Sequence, residues 1–154
     1  MRVFSTILTT VACFSALPAA ATAVQDCTDI ARAEYLMEPW EETTRLFLNG
    51  KVRLAVLDTI EPAGAPFHLI VLSPPFNEIG DRQCKMISLQ EGVGFAGVRF
   101  GDLTADYMPT KGFRFALPVG LYEVETGTTS FVPLLIDLNP TTGVLSANVV
   151  DDAQ

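Results

Sequence analysis

A chain of 154 residues with 10 basic and 18 acidic side chains carries a formal net charge of −8. Its hydrophobic content of 49% belongs to a globular chain and not to a disordered one. The acidic balance argues against binding nucleic acid or anionic membrane surfaces.

The chain starts with Met1-Arg2, followed by an apolar, small-residue stretch over positions 3–17 and then Ala21-Thr22-Ala23. A positive start, an apolar middle and a small-x-small end are the marks of a signal peptide. Residues 1–23 are therefore read as a leader for the general secretory route. Residues 24–154 are read as one exported domain, periplasmic or secreted. Only Arg2 leaves the charge count, so the acidic excess grows by one. No later apolar run approaches the roughly 18 residues of a membrane span. Cys13 lies inside the leader. Thr10-Val11-Ala12-Cys13 faintly resembles a lipoprotein processing box, so lipidation at Cys13 is the alternative; the apolar stretch before it is short and runs on past it. Cys27 and Cys84 remain. Two cysteines in an oxidising compartment imply a disulfide, and their wide spacing is unlike a Cys-x-x-Cys redox pair.

Residues 27–37 predict a short N-terminal helix, capped by Thr28 or Asp29 and stopped by Pro39. Strands follow. Asn49-Gly50 between two β-rich runs predicts a hairpin with a type I′ turn. Val52, Leu54 and Val56 alternate with Lys51, Arg53 and Ala55, which predicts one buried and one largely wet face. The apolar run 67–72 reads as a central strand ended by Ser73-Pro74-Pro75. Strands over 84–89 and 93–100 come next, then an irregular or briefly helical connection over 101–110. Phe113, Phe115, Leu117 and Val119 point one way in a strand with an exposed edge or a break at Pro118. A last hairpin joins 131–138 to 144–150, its loop carrying proline early and glycine late. About eight short strands with hairpin-length connections make an all-β fold, an antiparallel sandwich or a small barrel.

Gly92-Val93-Gly94-Phe95-Ala96-Gly97 spells Gly-x-Gly-x-x-Gly, but no strand–helix unit surrounds it. The glycines are better read as a bulge, a bend or the seat of a neighbouring aromatic ring. His68, the one histidine, sits in the most apolar run and reads as a packed, hydrogen-bonded strand residue. Ser73 lies near it but precedes two prolines, and no Gly-x-Ser-x-Gly exists. Glu41-Glu42 and Asp151-Asp152 read as solvated charges. No metal site and no cofactor are expected. Phe76 and Ile79 lie in a polar loop and form a candidate contact patch, or else fold back beneath it. Tyr107, before Met108-Pro109, is a weaker candidate of the same kind.

The expectation is a non-enzymatic exported domain that binds or assembles with another envelope or extracellular component. Two alternatives stand beside it. One is a small-molecule carrier holding a small apolar ligand inside a β-barrel lined by phenylalanines such as Phe47, Phe95 and Phe115. The other is an inhibitor-like protein that recognises a basic enzyme through its acidic surface.

Overall fold

A computed structural model describes residues 22–60 and 65–150. Most of the expected leader, Cys13 among it, and Asp151-Asp152 lie outside the described residues. Ten strands form two antiparallel sheets. The first sheet holds β1 (Ala23–Asp26), β2 (Thr44–Phe47), β3 (Val52–Asp58), β4 (Phe67–Phe76) and β5 (Arg82–Ser88), in the order β1-β5-β4-β3-β2. The second holds β6 (Gly97–Val98), β7 (Thr104–Met108), β8 (Gly112–Glu123), β9 (Thr128–Leu138) and β10 (Leu145–Val149), in the order β10-β9-β8, with β6 and β7 sharing the outer edge of β8. The fold is thus a sandwich.

Alternation builds the core. Val52, Leu54 and Val56 of β3, Leu69 and Val71 of β4, and Ile87 of β5 meet Phe113, Phe115, Leu117 and Val119 of β8 and Leu134, Ile136 and Leu138 of β9. Phe47 and Phe113 fill one flank, with ring centroids 5.9 Å apart. The space between the sheets is occupied by these side chains, where the carrier reading needed a hollow barrel.

The expected wet face of β3 is not wet. Ala55 and Leu57 are buried, together with Ile70 and Met86, beneath Cys27, Ile30, Ala31, Tyr35 and Leu36. These belong to the segment read as a helix. It is instead a strap across the outer face of the first sheet, with a 3-10 turn at Ala33–Tyr35. Its ends are tied. Cys27 N–H donates to Cys84 O, and Met37 N–H donates to Val56 O. The Cys27–Cys84 disulfide adds a covalent tie at a Cα separation of 5.4 Å. A three-turn helix is marginal by propensity, so burial against a waiting apolar face decides the conformation. Pro39 does not end a helix; it precedes one, α1 (Trp40–Thr43), as its N-cap residue.

Other elements differ in instructive ways. The β2–β3 connection is longer than a two-residue turn: Leu48, Asn49 and Gly50 all have positive φ (52°, 54° and 82°). β4 runs through Ser73-Pro74-Pro75 by a register shift between Ser73 and Phe76, which is where prolines fit in a sheet. The connection read over 101–110 contains β7, a full ladder on β8. Pro118 neither breaks β8 nor leaves it exposed. It lies opposite Pro133 of β9, while its carbonyl accepts from Arg99 N–H on the other side. Its missing donor therefore faces the outer side of β8, between β6 and β7, where no ladder bond is lost.

The glycine-rich stretch is mostly irregular, with only Gly97–Val98 as a strand. Gly97 seats the Phe131 ring; an added Cβ would lie 3.0 Å from it. Arg99 stacks on the same ring, 4.0 Å from its centroid. Gly94 answers to backbone. Its Cβ would lie 2.5 Å from the carbonyl oxygens of both Ala65 and Phe67. Gly94→Ala is expected to cost about 1–3 kcal/mol through forced backbone shifts. Gly101→Ala, with nothing within 4 Å of its Cβ, should stay within about 0.5 kcal/mol. Thermal unfolding of the two variants checks the contrast.

Candidate functional site

Three hairpin turns meet at one end of the sandwich. The β2–β3 turn touches the β4–β5 hairpin where Arg82 Nη1 donates to Gly50 O at 3.3 Å. The β9–β10 turn joins them through Gln83, whose Nε2 donates to Gly143 O at 2.9 Å and to Ser73 Oγ at 2.8 Å. Gly143 is also pressed against Pro75; a Cβ there would stand 2.6 Å from Pro75 Cδ. The β7–β8 turn abuts the same cluster, with Gly112 packed against Leu138 O and Pro140.

Local chemistry shapes each tip. Asn77 Oδ1 accepts from Ile79 N–H at 3.1 Å and Asp81 N–H at 2.8 Å. Gly80 closes the tip with φ +92°, a value glycine adopts without steric cost. The Asx turn holds Ile79 outward, 83% exposed, beside the exposed Phe76, which is not a loop residue but the last residue of β4, paired with Arg82. Neither side chain folds back beneath the loop. In the β9–β10 turn Asn139 Oδ1 accepts from Thr141 and Thr142 N–H, and Val144 is left 65% exposed. Leu48 of the β2–β3 turn is exposed as well. Tyr107 is not a loop residue. It lies near the end of β7, its ring 4.8 Å from that of Phe113 and half exposed.

Phe76 and Ile79 share this end with Leu48 and Val144, which no sequence motif singles out. Both sit in the hairpin loops flagged by Asn49-Gly50 and by Asn139 to Gly143. An apolar residue in a turn was the available signal. The neighbouring charges are mixed in sign: Lys51, Glu78, Asp81, Arg82 and Lys111. The end can make apolar contact framed by turn backbone, and it carries no histidine.

A concavity of about 460 Å³ lies between the strap and the first sheet, lined by Thr28, Ile30, Tyr35, His68, Met86 and Glu91 among others. His68 is 3% exposed, and its Nδ1 stands 2.7 Å from Oγ of the fully buried Ser88. Sealed beneath the surface, that serine is poorly placed to reach a substrate. Among the described residues no group of three or more His, Cys, Asp or Glu is placed to hold a metal ion. On the outer face of the second sheet Arg114 meets Asp137 through two bonds of 2.8 and 3.0 Å. The hydrogen bond and charge of Asp137 raise the arginine's proton affinity above its ordinary value. No helix among the described residues is long and apolar enough to cross a membrane. No protein-family model matches the chain, and neither a curated protein nor a solved structure matches it.

Proposed function

We propose that the chain is an exported, non-enzymatic binding domain that docks onto another envelope or extracellular component through the turn end of its sandwich. One observation carries this reading. Leu48, Phe76, Ile79 and Val144, from three separate hairpins, are exposed at one end and tied together by Arg82 and Gln83. Solvent-exposed apolar side chains on turns held by a rigid scaffold are a common basis of recognition. The partner's complementary chemistry is an apolar recess with a polar rim. Export rests on the leader-like start and is compatible with the disulfide.

Photo-crosslinking in the producing cell tests it. A photoreactive residue at position 79 or 144 is expected to give one discrete adduct. The same residue at Val124, equally exposed in the β8–β9 turn, should give none. Absence of an adduct at 79 and 144, or equal labelling at 124, would sink the proposal.

A further inference from the structure

The leader carries two overlapping small-x-small sites, Ala19-Ala20-Ala21 and Ala21-Thr22-Ala23. Either satisfies a signal peptidase, which reads the extended chain before it folds. What separates them is the use the folded domain makes of Thr22 and Ala23. Thr22 is buried, and its hydroxyl donates to Ala147 O of β10. Ala23 is the first residue of β1 and pairs with Ser88 of β5. These two residues bring the edge of the first sheet against the edge of the second. Val24, next in line, packs half-buried against the core beside its partner Ile87. A cut after Ala23 would discard both the hydroxyl bond to Ala147 of β10 and the Ala23–Ser88 rung of the β1–β5 ladder.

Resting on the export reading, we infer that the leader is cut two residues earlier than its last small-x-small site suggests. Water hydrolyses the Ala21–Thr22 peptide bond, leaving a carboxylate on Ala21 and Thr22 as the mature N-terminus.

The intact mass and N-terminal sequence of the exported protein test this directly. A chain starting at Thr22 is expected. A start at Val24 overturns the assignment while leaving export standing. An uncleaved chain retained in the cytoplasm overturns both. Two leader variants give a second readout that does not depend on folding. Ala23→Leu should be processed at the normal rate, since position 23 lies beyond the bond that is cut. Ala19→Leu should accumulate as precursor, or shift to a cut after Ala23. The reverse pattern refutes the inference. Of two mature chains compared in urea, the one starting at Val24 should unfold at the lower concentration; equal midpoints would remove the structural basis.

Discussion

Replacing Cys27 and Cys84 together by serine is expected to lower the unfolding free energy by about 4 kcal/mol, taking the loop-closure entropy of the cross-link as the guide. The bond spans a sequence separation of 57, long enough for that entropy to be substantial. A domain of this size has about 5–15 kcal/mol in total, so the loss is a large share. Structure adds a local effect to the global one. The strap keeps Ala55, Leu57, Ile70 and Met86 out of water. With the covalent tie gone, backbone hydrogen bonds of the Cys27 end remain, but on a segment with little regular structure of its own. Strap amides should then exchange faster than those of β3 and β4. Urea unfolding with and without reductant checks the first effect, and hydrogen exchange checks the second. An unchanged urea midpoint would mean that the strap's noncovalent packing alone is sufficient.

Phe115→Ala should cost about 3–5 kcal/mol, the range for deleting a buried aromatic ring. Phe115 is fully buried in β8, the strand that also pairs with β6, β7 and β9. Its ring lies 4.9 Å from that of Phe47 and 5.3 Å from that of Phe113. The void would open between the two sheets, against the Phe47 and Phe113 rings. Phe131→Ala is the control. That ring lies on the outer face, partly exposed, against Gly97 and Arg99. Its loss should be the smaller, by at least about 1 kcal/mol. Equal losses in urea would contradict the assignment of Phe115 to the centre of the core.

What could be read from the sequence was what local stereochemistry or strict alternation dictates. Asn139 to Gly143 needed a left-handed residue at its close, and Gly143 supplies one with φ +76°. Phe113 to Val119 alternates because one face is core and the other is not. The disulfide followed from counting cysteines. The strap was illegible for the opposite reason. Ala31, Ala33 and Leu36 favour a helix locally, and nothing in that stretch reveals the apolar face that captures it. The same missing partner made Ala55 look exposed. Pro118 misled because the rule against proline in strands concerns its absent donor, and only strand order shows which way that donor faces. Of the turn end, Phe76 and Ile79 stood out as apolar residues in a polar loop. Leu48 and Val144 did not, because their convergence depends on Arg82 and Gln83 reaching other hairpins.

The two boundaries of the described fold, Thr22 and Val150, lie away from the turn cluster. Arg82, the first residue of β5, lies at the turn end; Ser88, the last, lies at the far end and holds Ala23. β10 starts beside the turn cluster and runs away from it toward Val150. Both boundaries of the described fold therefore leave from the side opposite Ile79. A tether attached at either one, whether a surface linkage or a laboratory fusion, would point the apolar turns away from its anchor, leaving them free to meet an incoming partner.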